Sequence, residues 1–119
     1  MKPILLTAVL AILLTFAPSL PADDLPDPAR VTAAMRKAND FYISKLASHG
    51  GYASAWKRDL SEAMVEGKES KTIISIQPHG TTTVGMAMLK AWQATGDKAF
   101  LEGARGAAKA LIDLSLIHI

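Results

Sequence analysis

No cysteine occurs in the chain, so no disulfide holds the fold together and thiol chemistry is excluded. Charge of one sign is also lacking. Lys and Arg number 13 against 11 Asp and Glu, an excess too small to form a basic stripe, and nucleic acid is not an expected partner. Long apolar runs are scarce. Residues 4–16 form one of about thirteen residues, short of the ~20 that a membrane-spanning helix needs, and no second follows. A Ser/His/Asp set, a phosphate-binding glycine loop and a nucleotide fingerprint are all missing. Aromatic residues make up only 6% of the chain, yet Tyr52 and Trp56 fall together in one non-helical stretch.

The apolar run follows Met1 and Lys2 and precedes the small residues Ala17 and Ser19, the layout of a signal peptide. Residues 1–22 are therefore expected to be removed, leaving a secreted or periplasmic protein without a stable membrane anchor; a retained anchor is the alternative. Residues 23–28 hold three acids and two prolines and read as a solvated linker. At the other end, Leu-Ser-Leu-Ile-His-Ile at 114–119 resembles the translated end of a transposon used to fragment DNA for sequencing. The expectation is a non-native tail on an N-terminal fragment, with a short apolar terminus closing the last helix as the alternative.

Between these ends the pattern is mostly helical. Asp27 is placed to cap a helix and Pro28 to open it. Val31, Ala34, Met35, Ala38, Tyr42 and Leu46 then recur every three or four residues as a buried stripe, and Gly50 and Gly51 stop it. Residues 51–79 lose the helical period. Tyr52, Ser54 and Trp56 alternate with alanines as one short extended segment, Ile73, Ile74 and Ile76 suggest a second, and residues 66–71 read as a charged turn. A non-helical connection of this length is uncommon unless functional. Thr81 or Thr82 is expected to cap a second helix with Val84, Ala87, Met88, Ala91 and Trp92 inside and Gly96 ending it. Asp97 caps a third, with Leu101, Ala104, Ala108 and Leu111 as its stripe. The short link makes the last two an antiparallel αα-hairpin. Small residues including Gly85, Gly103 and Gly106 would let the axes approach closely.

Four blocks stand out: His-Gly-Gly-Tyr at 49–52, Trp-Lys-Arg-Asp-Leu-Ser at 56–61, Gln-Pro-His-Gly-Thr-Thr-Thr-Val-Gly at 77–85 and Ala-Thr-Gly-Asp at 94–97. Together they resemble the N-terminal part of exported bacterial pectic acid lyases, the pectate lyases built on an (α/α) toroid. The resemblance implies a mainly all-α fold over residues 29–113, the helical hairpins of an incomplete toroid carrying a short β-hairpin or extended loop. It implies β-elimination on pectate or a related acidic polysaccharide, with calcium as cofactor and an arginine as base. The calcium and catalytic groups are expected mainly beyond residue 113, so no catalytic residue is assigned and these residues alone are expected to be inactive. A non-catalytic carbohydrate-binding or periplasmic helical module and another toroid enzyme, such as a glycoside hydrolase using paired carboxylates, are the alternatives.

Five residues are candidates for substrate binding. Tyr52 and Trp56 offer rings for stacking on sugars, and Arg58 a fork for a uronate carboxylate. Gln77 can hydrogen-bond hydroxyls, and His79 stands before a helix start, where backbone N–H groups can face an anion. Against these, loop aromatics often seal a core end, and Arg58 has Asp59 and Glu62 nearby to pair with. His49 is explained by its place just beyond a helix C-terminus, and no metal site is assigned to the histidines.

Overall fold

Asp27 opens the first helix as expected in the computed structural model, which describes residues 25–117, the side chains of the last three excepted. Its carboxylate accepts from the Ala29 N–H at 3.2 Å, and α1 runs Pro28–Phe41 with proline in its first turn. The helix does not continue unchanged to the glycines. It widens into a π-helical turn, Tyr42–Leu46, closed by the Ala47 N–H on the Tyr42 carbonyl at 3.0 Å. The chain then reverses at residues 48–51. Ser48 and Gly51 exchange both backbone hydrogen bonds at 2.9 Å, while His49 and Gly50 both take positive φ, 51° and 84°. Positive φ at both central residues is the pattern of a type I′ turn.

Three short strands follow: β1 Ala55–Trp56, β2 Ala63–Val65 and β3 Lys68–Ser70. They form an antiparallel sheet in the order β1-β2-β3, with Trp56 opposite Ala63 and Ala63 opposite Ser70. Glu66 and Gly67, both at positive φ, make a second two-residue hairpin turn, so residues 66–71 hold a turn and a strand. The isoleucines at 73, 74 and 76 form no strand. Ile74 instead packs beside Gly51, where an added Cβ would collide with its Cδ1.

Helix α2, Thr81–Thr95, ends on Gly96 at φ 72°, whose N–H returns to the Trp92 carbonyl at 2.7 Å. Asp97 then starts α3, Lys98–Ile117, by accepting from the Ala99 N–H at 3.0 Å. The expected αα-hairpin is present, and its close approach rests on small residues: a Cβ on Gly85 would sit 2.8 Å from that of Ala107. The phase of the inward face differs from expectation. On α3 the buried positions are Phe100, Gly103, Ala107 and Ala110, one residue ahead of the stripe read from the larger side chains. On α1 and its π turn, Asn39 and Leu46 are buried while Val31 and Tyr42 are 38% and 40% exposed. The core joins Leu46, Tyr52, Met88 and Ala107, with Trp56, Val84 and Ala104 against them.

The mainly all-α toroid is corrected by this architecture. Three helices and a three-stranded sheet make a mixed α/β arrangement with no toroid among the described residues. Toroids and solenoids close by stacking successive helix pairs. Here α1 and the α2–α3 hairpin are separated by a segment with its own two hairpin turns and sheet, so the helices present a single pair and not a repeat. The expected signal peptide, residues 1–22, lies outside the described residues. Leu25 and Pro26 of the expected linker are exposed, Pro28 already belongs to α1, and Leu114 of the expected tail lies within α3. Among the described residues no helix is long and apolar enough to cross a membrane.

One interaction ties α1 to the start of α3. Arg36 donates to Asp97 at 2.7 Å and to Asp40 at 3.3 Å. The Ala99 N–H and then the Arg36 guanidinium hold the Asp97 carboxyl below the usual carboxylate range. A depressed folded-state value contributes stability above the unfolded value, about 3.9, and that contribution is lost as pH falls through the folded one. Thermal melts should therefore show a fall in Tm below about pH 4 that is shallower in Asp97→Asn. Asp59 and Glu62 are depressed too, so the difference between the two proteins, not the slope of either, reads Asp97. Parallel curves would show that the pair contributes nothing measurable, the usual result for an exposed pair.

Candidate functional site

The non-helical segment is organised around one buried hydroxyl. Thr81, fully buried, accepts from the Tyr52 N–H at 2.9 Å and lies 3.2 Å from the Tyr52 carbonyl, to which its hydroxyl donates. That carbonyl also accepts from the Ser75 N–H at 2.8 Å, and the Ser75 carbonyl accepts from the Thr81 N–H at 2.9 Å. Thr81 thus joins the loop after α1, the loop before α2 and the start of α2. It does not cap the helix. Gly80 occupies the N-cap position without a side-chain bond, and a Cβ there would meet Ser75 at 2.6 Å. The neighbouring threonines tie the same loop: Thr82 donates to the Gln77 carbonyl at 3.3 Å and Thr83 accepts from the His79 N–H at 2.9 Å.

Gln77 and His79 lie on the outside of this knot. The Gly80 N–H closes a turn on the Gln77 carbonyl at 3.1 Å, with Pro78 second and His79 third at φ 73°, the arrangement of a type II turn. Both side chains are exposed. The N–H groups of His79, Gly80 and Thr81 already have partners inside the loop, which leaves them unavailable to the anion that the sequence suggested for this helix start. Gln77 borders an open groove of about 510 Å³ together with Glu66, Ile76 and Leu114.

Tyr52 is inside the core at 3% exposure. Its ring lies 5.9 Å from that of Tyr42, and burial pushes its phenol above the ordinary tyrosine value. A sugar cannot stack on a ring so enclosed, so Tyr52 is a core residue. Trp56 is half-buried against the same core, one face of its β1 strand being turned inward opposite Ala63, which has no exposure.

Arg58 stands apart from both. The turn it occupies is stapled by the Leu60 N–H on the Lys57 carbonyl at 2.9 Å and the Lys57 N–H on the Glu62 carbonyl at 3.0 Å. Asp59 accepts from the Ser61 N–H at 3.0 Å and the Ser61 hydroxyl at 2.7 Å. Glu62 and Glu69 both take Lys57, at 2.5 and 2.8 Å, and together raise the Lys57 ammonium above its ordinary value. The neighbouring carboxylates are therefore engaged, while Arg58 is exposed and makes no ion pair among the described residues. The cation paired with Glu62 is Lys57, not Arg58, because Lys57 and Glu62 face each other across the hairpin.

The five candidates do not converge on one cavity. Tyr52 and the Gln77 loop share the Thr81 knot, Trp56 and Arg58 share the first hairpin, and none of the grooves about Gln77, α1 or α3 is lined by Trp56, Arg58 or His79. Thr81 and Ser75, which set both loops, are legible in the sequence only as a helix cap and a loop residue. Among the described residues no group of three or more His, Asp or Glu is placed to hold a metal ion, and the calcium ligands implied by the resemblance are expected mainly beyond residue 113. Comparison with known proteins adds no relative: no family model, curated protein or solved structure matches the chain.

Proposed function

We propose that the chain belongs to an exported, lyase-like protein acting on pectate or a related acidic polysaccharide, and that the described residues bind substrate without supplying the catalytic group. The observation that carries this reading is Arg58, an exposed guanidinium on a stapled turn whose neighbouring charges already have partners. A fork free of internal competition can accept a carboxylate bidentately, and a uronan repeats that carboxylate at every sugar. Trp56, half-buried on the adjoining strand, offers at most the exposed part of its ring, and Gln77 and His79 add polar groups from a separate loop.

Arg58 lies open to solvent, where a chain of uronates can reach it, and is assigned binding only. Calcium, when bound to a lyase of this kind, acidifies the C5 proton by neutralising the adjacent carboxylate; its ligands are not identified among the described residues.

The test is titration of an oligogalacturonate into the purified chain by calorimetry. Arg58→Ala should weaken binding about 10-fold, the loss of one charge-assisted pair of roughly 1.4 kcal/mol, with the urea midpoint unchanged. Trp56→Ala is the poorer test because the ring also packs the core. Equal affinity in the Arg58 variant and the parent would remove the carboxylate reading. Binding without release of unsaturated uronide is the expected result for these residues, and release of unsaturated uronide in calcium would overturn the placement of the catalytic group outside them.

A further inference from the structure

We draw no further inference here: the strongest candidate, the apolar groove of about 340 Å³ between α1 and α2 whose wall includes the buried Asn39 carboxamide with neither its nitrogen nor its oxygen hydrogen-bonded, carries nothing because both amide atoms are closed off from the groove and nothing in the structure shows what covers it.

Discussion

Replacing Gly50 with alanine should cost about 2–5 kcal/mol, a large share of an ordinary stability of about 5–15 kcal/mol. Two effects add. At φ +84° an L-residue is strained by roughly 1–2 kcal/mol. The new Cβ would also lie 2.5 Å from the Gly106 carbonyl oxygen and 2.9 Å from its carbon. These are backbone atoms in the middle of α3, so no side chain can swing away to relieve the contact; either the turn lifts off the helix or the helix shifts against α2. Overpacking of this kind typically costs about 1–3 kcal/mol.

Two companion substitutions isolate the cause. Gly96 has nearly the same backbone, φ +72°, but nothing within 4 Å of an added Cβ, so Gly96→Ala should show the conformational cost alone, roughly 1–2 kcal/mol. Gly106 is helical, and its own Cβ would meet only the Gly50 Cα at 3.9 Å, an ordinary contact. Gly106→Ala should be neutral or stabilising by up to about 1 kcal/mol through helix propensity. Urea denaturation of the three variants gives the ranking. Equal losses for Gly50→Ala and Gly96→Ala would mean that the 48–51 turn is not seated on α3.

The same turn shows what a sequence can and cannot announce. The Gly50-Gly51 pair after a helical stripe reads as a helix stop, and the chain does reverse there. Yet the helix has already loosened into a π turn at Tyr42–Leu46, and the larger duty of Gly50 is to let a loop touch Gly106, on a helix far along the chain. Local signals are legible where the chemistry is local: Asp27 with Pro28, Gly96 with φ > 0, and Asp97 as the cap of α3. The phase of α3 is not, because its inward face is chosen by α2. Where Gly85 and Met88 demand small neighbours, Gly103 and Ala107 turn inward and the leucines are left at the flanks.

Strand placement is hidden for a related reason. Three isoleucines near residue 74 have the stronger β propensity, but two-residue turns at His49-Gly50 and Glu66-Gly67 fix the pairing elsewhere, and Ala63, small enough to be wholly enclosed, begins the central strand. At the candidate site, register decides which of two adjacent cations is paired. Lys57 and Arg58 are both cations in the sequence, and only the position of Glu62 across the hairpin separates the one held in an ion pair from the one left exposed.

Thr81→Val should cost about 1–3 kcal/mol although it preserves shape almost completely. The hydroxyl accepts from the Tyr52 N–H at 2.9 Å in a fully buried position, and valine offers that donor nothing in its place. The Tyr52 carbonyl keeps the Ser75 N–H at 2.8 Å, so the orphan is the donor, and a buried N–H without an acceptor pays its whole desolvation cost. Thr81→Ser keeps the oxygen and loses one methyl, about 0.8 kcal/mol, and so separates the hydrogen bond from packing. The loss should also be local before it is global. Tyr52 and Ser75 exchange their constraints through Thr81, and the Gln77–Gly80 turn hangs from the same residues, so amide exchange at Tyr52 and Gly80 should quicken in the valine variant more than exchange along the middle of α3. Uniform acceleration would indicate simple loss of global stability, and no change at Tyr52 would show that the knot does not hold the two loops together. If the loops do loosen while Arg58, on its own stapled hairpin, still binds an oligogalacturonate as before, substrate recognition resides on the hairpin; a parallel loss of affinity would place Gln77 and His79 in the same binding surface.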